Sequence, residues 1–155
     1  MYKQYYKLFD SVGLNTNYEL YDYDTAYNNN GDFVDYEYGV YRFGSCERGI
    51  CEIVFQSSNL VDCMYFPIRA TIHNLSFEYE LNNRKEDLDS RILGFGMMLY
   101  YMSKFNNNEW NKKIYSELLP IIESDKLPKK LISKISELGR LWIFKLRSPV
   151  ALSLA

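Results

Sequence analysis

Apolar and polar residues alternate along much of the first half of the chain, and a period of two is typical of β-strands with one buried face. The alternation predicts strands at residues 33–43, 50–57, 62–72 and 75–81. In the first of these strands, Tyr36 and Tyr38 share the expected inner face. Asp35 and Glu37 share the opposite face, which is expected to be a solvated, acidic surface of the sheet.

The connections between these strands are short, which favours an antiparallel meander. Residues 18–24 are interpreted as a further strand or an ordered loop. In the second strand, Cys51, Ile53 and Phe55 are expected on the inner face. Pro67 lies within the third strand, where its missing N–H argues for an edge position, a bulge or a break.

Helical spacing replaces the alternation at the two ends of the chain. Apolar residues predict a short helix over 2–11, stopped near Gly13. Beyond residue 86 the period again becomes helical and predicts helices at 87–104, 109–123 and 128–144. The predicted fold class is therefore α+β, with a short N-terminal helix, a meander of four to five strands and three C-terminal helices packed on the sheet.

The length of 155 residues is typical of one domain, and no linker or repeat interrupts it. We therefore expect a single domain over 1–155, mainly β over 1–85, helical over 86–145, with a tail at 146–155. The N-terminus has no apolar signal-peptide region, and the longest apolar stretch, near Leu93–Met102, is too short to span a membrane. These features predict a cytoplasmic protein without a membrane partner.

Charge is distributed unevenly along the chain. Residues 1–66 hold ten acids and four bases, a net charge of −6, although the whole chain carries only −2. Eleven of the 15 tyrosines lie in the same part. Because phosphate attracts cations, the acidic surface disfavours nucleic acid as a partner and favours a basic protein.

The residues that could carry catalysis or bind a metal ion are few. Cys46, Cys51 and Cys63 are an odd number of cysteines, unlike a secreted disulfide framework, and they are interpreted as one turn residue and two small core residues. His73 is the only histidine, whereas a zinc site needs about four ligands, so no metal and no cofactor are expected. A Cys63–His73 dyad or the carboxylates of the acidic strand face remain the basis of an alternative, enzymatic interpretation.

The segment from Tyr18 to Tyr41 combines tyrosines with carboxylates. Tyrosines provide rigid contact area, and carboxylates attract and pair with Lys and Arg. The segment is therefore predicted to bind a partner, the alternative being an aromatic sheet core with soluble outer faces. The residues predicted to bind are Tyr21, Asp22, Tyr23, Asp24, Asp32, Asp35 and Glu37.

A small, acidic, aromatic chain without a catalytic motif resembles the bacterial immunity proteins of contact-dependent inhibition and related polymorphic toxin systems. The resemblance is one of type and transfers no site residues. It implies stoichiometric binding to a cognate protein toxin, expected to be a nuclease domain with a basic surface, by covering its active site or an exosite. The other interpretations are a small enzyme and an inhibitor protein of a phage or mobile element. The sequence does not indicate an oligomeric state.

Overall fold

The computed structural model of the protein describes residues 2–84 and 90–124. Its elements follow one another in the order α1 (Tyr2–Ser11), β1 (Leu20–Tyr21), α2 (Tyr23–Asn29), β2 (Gly31–Glu37), β3 (Val40–Glu47), β4 (Ile50–Ser57), α3 (Leu60–Asn82), α4 (Ser90–Ser103) and α5 (Asn108–Ser124). The α+β class and the N-terminal helix are confirmed. The chain divides into two compact units, Met1–Asn74 and Leu75–Ala155, and the prediction of one domain stays a prediction.

The four strands form one sheet in the order β1-β2-β3-β4. The pairs β2–β3 and β3–β4 are antiparallel, whereas β1 runs parallel to β2 and is joined to it through α2. The sheet is therefore mixed, and the prediction of a purely antiparallel meander was wrong. A parallel pair needs a crossover, and the chain makes one with only the seven residues of α2.

Two-residue turns connect the antiparallel strands. Tyr38 and Gly39 join β2 to β3 with φ of 51° and 85°, and Arg48 and Gly49 join β3 to β4 with φ of 52° and 77°. Positive φ at both central residues is the geometry of the type I′ turn, whose twist matches that of a hairpin. Residues 33–43, predicted as one strand, therefore contain most of β2, a turn and the beginning of β3.

This turn also changes the predicted faces. Tyr36 is 56% exposed and Tyr38, in the turn itself, is 93% exposed, so neither side chain is in the core. A register irregularity at Phe43/Gly44 places Phe55 opposite Phe43 but Ile53 opposite Gly44. The extra residue between them breaks the alternation that was expected to align Ile53 and Phe55.

The predicted strands at 62–72 and 75–81 were wrong, because both lie in the single helix α3. Its buried apolar residues Met64, Ile68 and Ile72 are four residues apart, which is helical spacing. The segment is so rich in apolar residues that periods of two and of 3.6 both fit it. Pro67 is tolerated inside this helix. The Thr71 hydroxyl donates a hydrogen bond of 2.8 Å to the carbonyl oxygen of Pro67.

Within the first unit, each face of the sheet has its own apolar contacts. On one face, Ala26 of α2 is buried in a cluster with Phe33 and Cys46. On the other, the rings of Phe43 and Phe55 stack against Phe66 of α3, with centroids 6.0 and 4.4 Å away. The candidate site lies on the α2 side, where the small helix leaves part of the sheet open.

The second unit is helical in its described residues. Helices α4 and α5 confirm the predicted helices at 87–104 and 109–123 as far as these are described. The predicted helix at 128–144 and the tail at 146–155 lie outside the described residues. In the described part of the chain, no helix is both long enough and apolar enough to cross a membrane.

Candidate functional site

A cavity of about 480 Å³ opens on the α2 side of the sheet. Pockets of this size are common in small-ligand sites and can also hold a protruding side chain of a partner. The cavity is lined by α2 and by β2, β3 and β4, through Tyr23, Asp24, Phe33, Asp35, Tyr36, Glu37, Arg42, Cys51 and Ile53. We call this space the sheet cavity. It combines aromatic walls with three carboxylates and one guanidinium.

Arg42 connects two of these carboxylates. The tight turn brings Arg42 opposite Asp35 in the β2–β3 register. Its Nε and Nη2 donate to the two carboxylate oxygens of Asp35 over 2.8 and 2.5 Å, and its Nη1 contacts Oε2 of Glu37. The hydrogen bond to Asp35 is the main reason why the pKa of Arg42 is raised above its ordinary value. The acidic strand face is therefore partly neutralised by an internal cation.

The N-terminal end of α2 forms the opposite wall. Asp22 caps this helix, because its Oδ1 accepts a hydrogen bond of 2.9 Å from the backbone N–H of Thr25. That hydrogen bond lowers the pKa of Asp22. The ring of Tyr23 meets the ring of Phe33 edge to face at 5.1 Å, and Asp24 follows it in the first turn. In the described residues, the carboxylate of Asp24 has no hydrogen-bond or ion-pair partner.

The structure brings four of the seven predicted binding residues into the sheet cavity, namely Tyr23, Asp24, Asp35 and Glu37. Asp22 acts as the helix cap. The Tyr21 hydroxyl donates to Glu19, a hydrogen bond that raises the pKa of Tyr21. Asp32 accepts from the Tyr18 hydroxyl, and burial together with this hydrogen bond raises the pKa of Tyr18.

The cysteines differ from their sequence interpretation. Cys46 and Cys51 face each other across the β3–β4 hairpin, with Cα atoms 4.0 Å apart, and form a disulfide. The two-residue turn at Arg48 and Gly49 aligns them, since it pairs residues at equal distances on either side. Cys63 is a buried free thiol, and burial raises its pKa to about 11.

The fold separates Cys63 and His73, the two residues of the dyad on which the enzymatic interpretation was based. Cys63 and His73 both lie on α3, ten residues apart, which separates them by about 15 Å along the helix axis. Asp35 and Glu37 are bound to the same guanidinium. Among the described residues, no three His, Cys, Asp or Glu side chains gather as metal ligands. The expected absence of metal and cofactor stays a prediction.

Arg42 is the main residue of the site that sequence reasoning missed. The signal was the dipeptide Tyr38-Gly39, because X-Gly between alternating segments indicates a two-residue hairpin turn. A turn at that place makes Asp35 and Arg42 cross-strand neighbours. In the same way, the second turn, at Arg48 and Gly49, pairs β4 with β3 and so brings Cys51 and Ile53 to the cavity wall.

The comparisons with known proteins agree with the resemblance. No curated protein matches the chain, and no solved structure does. The sequence model of one family, immunity protein 63, matches residues 38–119, more than half of the chain. The match includes Arg42, Cys51 and Ile53 of the sheet cavity, whereas the lining residues of α2 and β2 precede it. The chain therefore belongs to the immunity protein 63 family, a family of immunity proteins.

Proposed function

We propose that this protein neutralises a cognate toxin domain by binding it in a stoichiometric complex in the cytoplasm, without a catalytic step of its own. The family match over residues 38–119 carries the proposal, because an immunity protein acts against a toxin. The proposed toxin domain has a basic surface, as a nuclease has, and binding covers its active site or an exosite. Neither nucleic acid nor a membrane is part of the proposed interaction.

The charge of residues 1–66 supports a basic partner. Ten acids against four bases in residues 1–66 create a negative field that attracts cationic surfaces over about one Debye length. The seven predicted residues remain the proposed contact region. We place its centre at the sheet cavity, where the exposed Tyr23 stands beside carboxylates.

The test uses the toxin gene expected next to the gene of this protein. The encoded toxin domain is expressed in a host with and without this chain, and survival is counted. We expect the full chain to restore growth, and calorimetry on the purified pair to give one chain per toxin domain.

A matched control replaces this chain by an unrelated immunity protein expressed at the same level, which should not protect. If the chain forms no complex with the toxin domain and leaves the host unprotected, the proposal is wrong. Protection at strongly substoichiometric amounts would also contradict it, because that result requires turnover.

A further inference from the structure

The sheet cavity offers an apolar wall that is open to solvent. Tyr23 is 39% exposed, and the ring of Phe33 lies buried behind it. Exposed aromatic faces bind the alkyl stem of a long side chain and attract a cation through their quadrupole.

The charges of the cavity favour a cation as well. Asp24, Asp35 and Glu37 contribute three negative charges and Arg42 one positive charge, which leaves a net charge of −2. Arg42 binds both oxygens of Asp35 but only Oε2 of Glu37. The side chain of Glu37 is 43% exposed, against 16% for Asp35. Glu37 therefore keeps acceptor capacity that a ligand can use, as does Asp24, whose carboxylate has no partner among the residues that the structure describes.

We infer that the sheet cavity receives an arginine side chain of the toxin, with its guanidinium directed to Asp24 and Glu37 and its stem lying along Tyr23. This inference rests on the proposed function. A guanidinium suits the cavity better than an ammonium, because it is planar, stacks on aromatic rings and donates several hydrogen bonds in fixed directions. Arginine is also among the residues that dominate binding energy at protein interfaces. Arg42 is a positioning residue in this site, since it holds Glu37 at the cavity wall.

The test titrates the full-length protein with the peptide acetyl-Gly-Arg-Gly-amide and follows backbone amides and the Arg42 Nε–H by NMR. The matched probe carries citrulline, which has the shape of arginine without its charge. We expect saturable shifts confined to the cavity residues, in the millimolar range, and binding at least about tenfold weaker for the citrulline peptide. The lysine peptide should bind more weakly than the arginine peptide.

Two variants test the carboxylates proposed to bind the guanidinium, and a third variant serves as the control. Asp24→Asn and Glu37→Gln should each weaken binding of the arginine peptide by about three- to tenfold. Glu47→Gln removes the same charge from the far end of the hairpin, where Glu47 is 82% exposed, and should change binding less than about twofold. Folding of each variant is checked by circular dichroism.

Equal binding of the arginine and citrulline peptides, shifts spread over the whole surface, or equal losses in Glu37→Gln and Glu47→Gln would each overturn the inference. Equal binding of the lysine peptide would overturn the assignment to arginine. The titration contains no toxin, so its outcome is independent of the survival assay. Protection without peptide shifts rejects the arginine site alone, whereas a chain that neither binds nor neutralises the toxin rejects the proposed function.

Discussion

Arg42 forms ion pairs with two carboxylates of the sheet cavity, those of Asp35 and Glu37. Its guanidinium and the carboxylate of Asp35 are both largely buried, with 17% and 16% of their side-chain surface exposed. Removing one member of such a pair leaves the other charge without compensation in a poorly solvated place. The ion pair is therefore expected to matter for folding as well as for the shape of the sheet cavity.

We expect Arg42→Met to lower the free energy of unfolding by roughly 2–3 kcal/mol, because Asp35 loses both of its hydrogen bonds. Urea unfolding followed by circular dichroism measures the change. The double variant Arg42→Met/Asp35→Asn should recover at least half of it, since a neutral amide costs less to bury. Arg48→Met is the matched control: Arg48 is 89% exposed, and its loss should cost below about 0.5 kcal/mol. Equal losses in both single variants would contradict the structural role of Arg42.

A second prediction concerns how many of the three cysteines react as free thiols. Without reductant, the native protein should show no rapidly reacting thiol toward Ellman's reagent at about pH 8, because Cys63 is buried and its pKa is raised to about 11. The denatured, unreduced chain should show one thiol. After reduction it should show three, since the disulfide joins Cys46 and Cys51. Three thiols before reduction would mean that the disulfide does not form.

At the scale of elements, the short helix α2 controls one wall of the sheet cavity. It has only seven residues, so its cap is a large part of its stability. Asp22 supplies that cap, and Tyr23 and Asp24 of the first turn line the cavity. A loss of the cap should therefore disturb the site before it disturbs the sheet.

We expect Asp22→Ala to cost about 1 kcal/mol of stability near neutral pH, the usual value of an N-cap. Asp22→Asn should cost less, because its amide oxygen can still accept from Thr25. The pKa of Asp22 is lowered in the folded state, so ionised Asp22 stabilises the fold above its ordinary pKa, near pH 4, and this contribution is lost as the pH falls through the lowered value.

The stability of wild type and of Asp22→Asn, measured by thermal unfolding from about pH 2 to 7, should therefore converge at the acidic end. A difference that grows as the pH falls would show that the charge of Asp22 does not stabilise the helix end.

At the scale of the whole molecule, the uneven charge predicts how the complex forms. Long-range attraction between an acidic chain and a basic toxin speeds association and is screened by salt. We expect the association rate constant, measured by surface plasmon resonance, to fall about tenfold or more between about 20 and 300 mM NaCl, with a smaller change in the dissociation rate. Asp24→Lys should reduce both the rate and its salt dependence. An association rate independent of salt would indicate that the toxin surface is not basic.

The sequence by itself determined the features that depend on local order. Helical spacing located α1, and the helical spacing beyond residue 86 located α4 and α5. The composition of residues 1–66 indicated an acidic, tyrosine-bearing surface, and four of the seven residues chosen from it lie together in the sheet cavity. The helices could be located because the period of apolar residues is a property of neighbouring residues and needs no knowledge of distant ones.

Only the tertiary structure decided which residues meet. Helix α3 replaced two predicted strands, because a dense apolar segment fits either period and its packing selects one. The pairing of Asp35 with Arg42, and of Cys46 with Cys51, depends on where each hairpin turns. A shift of one residue in register moves every side chain to the opposite face, so the position of a turn decides the partners of a whole strand. The acids of the site were therefore visible in the sequence, whereas the cation that holds two of them was assigned by the fold.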